Sequence, residues 1–222
     1  MVIPSFIFYG IKITEPGSVI SDATLAFFSF VFFRETSNIS FEKNHNYRSF
    51  FFLFISLSAM AGSFAHGLFL YTGKTLHLIS WILSGIAIFY IELSCFNNFE
   101  HLKKKKLFIG FIKLKALFFL IICTISLKFY FVKINIAFGL LGIVFPSMFI
   151  QYLRFGFKSY LLVMLGILLA ILPAVFHRFQ TDYSGFFNMN DMSHFFLVIC
   201  LLFIFSGFKS EILKLKPVEN NA

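Results

Sequence analysis

Long runs of apolar residues, separated by short polar segments, dominate the pattern along this chain. Seven of them reach the length of about 17 to 25 residues that a helix needs to cross the hydrocarbon core of a bilayer. They lie at about 18–34, 49–72, 74–96, 107–127, 131–153, 158–178 and 192–208. Most connections between them are short, so consecutive helices should be antiparallel neighbours. The pattern therefore predicts an all-α membrane protein whose single domain, 18–208, is a seven-transmembrane-helix bundle.

The chain that flanks this predicted bundle is short at both ends. Residues 1–17 are apolar but lack a basic start and a small-residue cleavage site, so they do not resemble a removable signal peptide. We predict that they form an N-terminal segment that lies at the membrane interface or caps the bundle. Residues 209–222 are predicted to be a cytoplasmic tail.

Lysines and arginines set the predicted orientation, because cytoplasmic loops of membrane proteins carry an excess of both. One set of loops and ends holds twelve, namely Arg34, Lys43, Arg48, Lys103, Lys104, Lys105, Lys106, Arg154, Lys158, Lys209, Lys214 and Lys216. The opposite set holds five, namely Lys12, Lys74, Lys128, Lys133 and Arg178. This bias places the N-terminus outside and the C-terminus in the cytoplasm. Within the spans, Lys113 and Lys115 are expected to snorkel toward the inner surface and Glu92 to be interfacial.

Composition supports a membrane location and excludes other classes. Of 222 residues, 59% are hydrophobic and 13% charged, and the mean hydropathy is +0.85. We predict an integral protein of a bacterial inner membrane, with membrane lipids as its partners. The net charge of +9 reflects loop residues that face anionic headgroups, so nucleic-acid binding is not expected. Three cysteines without CxxC spacing are predicted to be small buried side chains. The oligomeric state stays open.

Four histidines fall at the predicted outer end of successive spans, namely His66, His77, His177 and His194. Ionisable groups inside a membrane are costly and usually mark functional sites. Asp22 lies at the same end, near the entry to the first span. Each of these residues also has a structural interpretation. His77 fits an aromatic belt beside Trp81, and His177 fits an interfacial position beside water, so we discount it.

Two tetrapeptides place a second polar residue three positions before a histidine. Ser63 and His66 share one helix face, which also fits a hydrogen-bonded contact between helices. Asp191 and His194 have the same spacing, and Asp191 is well placed to cap the last helix. Capping accounts for Asp191, but it does not explain why His194 lies inside the apolar run that follows.

Together these residues suggest a metal site. Imidazole is the commonest metal ligand, and three protein ligands with a water form a catalytic zinc centre. Zinc lowers the pKa of its water, and a carboxylate can then act as base in ester or amide hydrolysis. The hypothesis makes His66, His77 and His194 the zinc ligands. In it, Asp191 or Asp22 is the base, and Ser63 polarises the substrate carbonyl.

The segment Gly62-Ser63-Phe64-Ala65-His66, with His194 in the last helix, resembles the seven-helix CREST hydrolases, the superfamily of alkaline ceramidases and adiponectin or progestin receptors. Glu15-Pro16 is similar to the Glu-Pro of ceramidases. The stretch Phe187–His194, together with Ser21-Asp22, more closely resembles an uncharacterised family of small bacterial membrane proteins. The first resemblance implies a zinc-dependent lipid amide or ester hydrolase.

The zinc-site residues of that superfamily are only partly present in this sequence. The resemblance implies a serine and a histidine on the second helix, an aspartate on the third, and two histidines four apart on the seventh. Only His66 and His194 match, since Gly62 and Asn190 occupy two of the other positions and His77 stands in the third helix. Three hypotheses remain: a zinc-dependent hydrolase, a non-catalytic receptor-like or structural bundle, and a haem held by His66 and His194.

Overall fold

The computed structural model describes residues 5–39, 43–97, 105–173, 175 and 188–215. The described chain is helical apart from a two-stranded hairpin and short connections. Its helices are α1 (Pro16–Ile39), α2 (Lys43–Gly67), α3 (Phe69–Thr72), α4 (Thr75–Asn97), α5 (Lys105–Ser126), α6 (Phe129–Ala137), α7 (Phe145–Phe155), α8 (Lys158–Leu169) and α9 (Met189–Leu215). The prediction of an all-α fold is confirmed for these residues.

Six helical segments are long and apolar enough to cross a membrane, which is compatible with an integral membrane protein. They are Pro16–Ile39, Asn46–Gly67, Thr75–Cys95, Lys105–Ser126, Phe129–Phe155 and Met189–Lys214. The seventh predicted span, 158–178, corresponds to a shorter apolar helix, Lys158–Pro173, and its remainder falls largely outside the described residues. Six spans are therefore supported by length and composition, and the seventh stays a prediction.

The N-terminal segment contains an antiparallel hairpin, which the apolar pattern did not predict. Strands β1 (Ser5–Phe8) and β2 (Ile11–Thr14) pair with Ser5 opposite Thr14. The two residues of the turn, Tyr9 and Gly10, both have positive φ, as type I′ hairpin turns require. At the end of β2, the Thr14 hydroxyl donates to the backbone carbonyl of His66. The hairpin is thereby attached to the end of α2, where the candidate site lies.

The fifth span contains a π-helical segment, Phe138–Val144, between α6 and α7. A Cβ on Gly139 would lie 2.4 Å from the side chain of Ile88 and 2.5 Å from Oε1 of Glu92. The missing side chain therefore makes room for a buried carboxylate of α4. Segments of this kind often occur at functional positions in helices.

The centre of the bundle is formed by α1, α2, α4, α8 and α9. Small residues allow α8 and α9 to approach closely, as is common between membrane helices. A Cβ on Gly166 would lie 2.7 Å from the carbonyl oxygen of Cys200, and one on Gly207 would lie 2.6 Å from that of Ser159. Large apolar side chains cover the outside of the described bundle, among them Phe27, Phe118 and Ile125.

Two buried ion pairs correct the expectations for three charged residues. Arg48 lies within α2, not in a loop, and its Nη2 donates to Oε1 of Glu211 at 2.9 Å, with both side chains inaccessible to solvent. Glu92 is fully buried rather than interfacial, and Nζ of Lys115 binds it instead of reaching the membrane surface. Charges that the pattern assigns to interfaces are thus paired inside the bundle.

Candidate functional site

Four helix ends meet at one end of the bundle and bring together residues that are far apart in sequence. Asp22 near the start of α1 lies between His66 at the end of α2 and His194 at the start of α9. Its Oδ2 is 3.8 Å from Nε2 of His66, and its Oδ1 is 3.3 Å from Nδ1 of His194. Asp22 is buried, while both histidines are partly accessible. We call Glu15, Asp22, His66, His77 and His194 the histidine–carboxylate cluster.

Glu15 fixes the orientation of the His66 ring. Its Oε2 lies 2.6 Å from Nδ1 of His66. Because an ionised carboxylate only accepts hydrogen bonds, Nδ1 carries the proton and donates it to Glu15. This hydrogen bond holds the pKa of the Glu15 carboxyl below its ordinary value, although partial burial acts in the opposite direction. The other ring nitrogen, Nε2, is left facing Asp22.

His77 at the start of α4 completes one side of the cluster. Its ring meets the ring of His66 edge to face, with 4.9 Å between the centroids. On its other side it stacks near Trp81, with a centroid distance of 6.1 Å. The structure thus combines the two interpretations of His77, since it contacts both an aromatic partner and a histidine of the cluster.

His194 is positioned by serine and carboxylate groups of α1. Oγ of Ser21 lies 3.0 Å from Nδ1 of His194, the same nitrogen that faces Asp22. A serine and a histidine in contact can form a nucleophile and its base. Ser21 is buried and does not line the cavity described below, so the contact orients the histidine ring.

Asp191 and Ser63 lie close to the cluster but are engaged in structural hydrogen bonds. Asp191 accepts from the backbone N–H of Asn188 at 2.7 Å and from the Ser18 hydroxyl at 2.9 Å. Oδ1 of Asn188 in turn accepts from backbone N–H groups of the first turn of α9, which forms a capping box. Ser63 donates to the carbonyl of Val19 at 2.9 Å. Neither residue lines the cavity.

The cluster opens into a cavity of about 550 Å³ inside the bundle. The lining follows three helices, between residues 51 and 66 of α2, 77 and 88 of α4, and 194 and 204 of α9. Fifteen residues of helix correspond to a length of roughly 22 Å. Charged and polar groups lie at one end, where Lys74 and Asn190 join the cluster. Three serines follow, and the far end is apolar, with Phe51, Ile88 and Ile204 among its lining residues.

As a metal centre this arrangement is incomplete. Among the described residues, no three His, Cys, Asp or Glu side chains are grouped closely enough to hold a metal ion. Asp22 forms a close pair with each of two histidines, but a zinc site with three protein ligands needs all three donors around one point. His177 lies outside the described residues.

Two contributions to the site were missed or only half recognised in the sequence. Glu15-Pro16 was noted for its resemblance, but its contact with His66 depends on how the hairpin leads into α1. Lys74 was counted only as a loop cation, although it lines the cavity. Its position in the sequence between His66 and His77, at the same predicted end of the bundle, is the signal that could have indicated it.

Comparison with known proteins assigns a family but no activity. No curated protein and no solved structure matches the chain. One family model matches residues 18–212, which include all of the described cluster except Glu15. The relation to the CREST hydrolases and a bacterial origin therefore stay predictions. Because the match covers most of the sequence, the chain belongs to the family described as "Family of unknown function (DUF6962)".

Proposed function

We propose that this protein binds a single-chain, lipid-like molecule in its central cavity, with the polar group of that molecule against the histidine–carboxylate cluster. The observation that carries the proposal is the polarity gradient along the cavity. Charged side chains line one end, and apolar side chains line the other. Ligand pockets combine an apolar lining with a few convergent polar groups in this way.

The dimensions of the cavity favour one hydrocarbon chain. A volume of about 550 Å³ over roughly 22 Å of helix describes an elongated space. Non-bonded carbon atoms pack at about 3.5–4.0 Å, so a hydrocarbon chain fits along this length. The polar end of the cavity supplies both kinds of hydrogen-bonding group, since the carboxylates accept and the N–H groups of Lys74 and the histidines donate. An amide, ester or carboxyl group suits such a surface.

Blocking the cavity tests the proposal. Ala59 is buried and lines the cavity, so Ala59→Phe fills it, whereas Leu114→Phe changes an exposed position on α5. Purified protein in detergent is titrated with a dansyl-labelled fatty acid, and its fluorescence reports binding. We expect Ala59→Phe to weaken binding at least tenfold and Leu114→Phe to leave it unchanged. Equal binding by both variants, with circular dichroism showing intact helices, would contradict the proposal.

Zinc-dependent hydrolysis of a lipid amide or ester bond is the second candidate function. It is favoured by the carboxylate that holds Nδ1 of His66, because metal-ligating histidines usually donate their second N–H to such a group. The described arrangement lacks a complete ligand set, so zinc binding would require His66 and His194 to converge further on Asp22 or His77. Asp22 is then the nearest carboxylate, while Asp191 and Ser63 keep their structural bonds.

Metal analysis separates the second candidate from the first. If the candidate holds, purified protein contains about one zinc per chain, lost in both His66→Ala and His194→Ala and retained in Glu35→Gln, a change at the exposed pair with Lys209. A Soret band would instead support the haem hypothesis. Protein that binds the fatty acid without metal would leave lipid binding as the function and exclude the hydrolase.

The distribution of basic residues supports a topology for this function. The N-terminus and the cluster would lie outside and the C-terminus in the cytoplasm, with Lys158–Pro173 beginning a seventh span in a bacterial inner membrane. Arg48 is buried and no longer counts as a loop residue, but the predicted cytoplasmic loops and ends still hold more basic residues than the opposite set. A C-terminal fluorescent-protein fusion should fluoresce and a C-terminal alkaline phosphatase fusion should be inactive. The reverse result would show that the C-terminus lies outside and would contradict the proposed topology.

A further inference from the structure

A second concave surface lies on the outside of the bundle, between α4 and α5. This groove has a volume of about 310 Å³ and is distinct from the central cavity. It exists because α5 packs closely on α4 at one point, where Gly85 faces the ring of Phe119. A Cβ on Gly85 would lie 2.0 Å from that ring. Most of its lining is apolar, as in Ile86 and Leu117, but Lys113 is part of it.

Lys113 is one of two lysines on the face of α5 that borders the groove. Lys106, Gly110, Lys113, Leu117 and Leu120 follow one another at spacings of three or four residues, and therefore share a helix face. Both lysines are exposed, and none of the ion pairs among the described residues includes them. The face thus combines a cationic half with an apolar half.

Space for a headgroup lies between the two lysines. A Cβ on Gly110 would meet no atom within 4 Å, so the surface is open there. Seven residues of helix separate the lysines by roughly 10 Å, a distance that both flexible side chains can span toward one phosphate. The apolar half of the face continues from this point along the groove.

We propose that this groove binds an anionic phospholipid, with its phosphate between Lys106 and Lys113 and one acyl chain along Leu117 and Leu120. Charge complementarity favours this occupant over a zwitterionic lipid, because two cations without acidic partners face the position of the headgroup. Each lysine near an anionic membrane surface contributes about a fivefold gain in affinity. The inference is independent of the function proposed for the central cavity.

Native mass spectrometry of the full chain in detergent, titrated with phosphatidylglycerol or phosphatidylcholine, tests the proposal. We expect phosphatidylglycerol to bind about 25-fold more tightly, and Lys113→Gln to lower this preference about fivefold. Lys133→Gln is the matched control, since Lys133 is exposed on the neighbouring helix α6 away from the groove. Ala116→Trp, which fills the groove and leaves the lysines in place, should weaken binding of both lipids.

The titrations are repeated with the Ala59→Phe variant so that lipid in the central cavity does not contribute. Equal affinities for the two lipids would overturn the proposal. So would equal losses in Lys113→Gln and Lys133→Gln, because the effect would then reflect net charge rather than a defined site. Since Lys113 and Lys133 are both exposed, neither Lys113→Gln nor Lys133→Gln is expected to prevent folding.

Discussion

The buried ion pair between Arg48 and Glu211 offers a matched comparison with an exposed one. In both pairs the nitrogen–oxygen distance is 2.9 Å. The side chains of Arg48 and Glu211 are 0% and 1% exposed, whereas those of Lys209 and Glu35 are 38% and 47% exposed. The pairs therefore have the same contact distance and differ strongly in burial. Replacing each glutamate by leucine compares the two environments directly.

The expected losses of unfolding free energy in the two variants differ several-fold. An exposed ion pair contributes about 0–1 kcal/mol, so Glu35→Leu should have little effect. Removing one partner of a buried pair costs about 3–5 kcal/mol, because the other charge stays buried without compensation. In Glu211→Leu the Tyr160 hydroxyl, 3.2 Å from the carboxylate, also loses its acceptor. Among the contacts of the described residues, Arg48 keeps its stacking on Phe208, at 4.7 Å. We expect this variant to lose about 3–5 kcal/mol.

Unfolding in mixed micelles with increasing dodecyl sulfate measures these differences. The fluorescence of Trp81, the single tryptophan of the chain, reports the transition. The double variant Arg48→Met/Glu211→Leu removes both charges of the pair and should regain most of the stability, because the arginine is then not left buried without its carboxylate. The reasoning is refuted if Glu211→Leu costs no more than Glu35→Leu. It is also refuted if the double variant is less stable than Glu211→Leu.

Three further predictions concern single positions. Gly62→Ala places a Cβ 2.8 Å from Oδ2 of Asp22 and should weaken fatty-acid binding with little loss of stability, since a flexible carboxylate moves easily. Gly85→Ala forces the buried ring of Phe119 to move and should cost about 1–3 kcal/mol in the same unfolding assay. Glu15→Gln removes a carboxyl whose pKa is lowered in the folded state, a contribution present above about pH 4.5 and lost as the pH falls. The stability difference between wild type and Glu15→Gln should therefore close below pH 4.5, and a constant difference would contradict it.

The pattern of apolar residues was sufficient to predict six apolar helices of spanning length and to place several polar residues at one end of them. Length alone identifies a spanning helix, and depth follows from the position along it, at about 1.5 Å per residue. For that reason His66, His77 and His194 were placed at one end of the bundle, and Asp22 with them. The structure brings all four together around one cavity.

Other features depended on contacts that the pattern does not contain. Glu15 reaches His66 only because the hairpin leads directly into α1, and the partners Arg48 and Glu211 are 163 residues apart. The rule that places basic residues in cytoplasmic loops counts charges near helix ends, and it cannot tell a solvated arginine from a buried one. Asp191 was correctly seen as a capping residue, because capping is a local interaction.

The sequence by itself therefore determined the class of the protein, six of its apolar helices, and the end of the bundle at which Asp22, His66, His77 and His194 lie. Tertiary structure decided which side of each helix faces the cavity, and hence that Asp22 is exposed to it while Ser63 and Asp191 are engaged elsewhere. The physical reason is that these helices are apolar on nearly every side, since lipid and the bundle interior are similarly apolar. Depth is encoded by position along the helix, but rotation about its axis is fixed only by the packing of its neighbours.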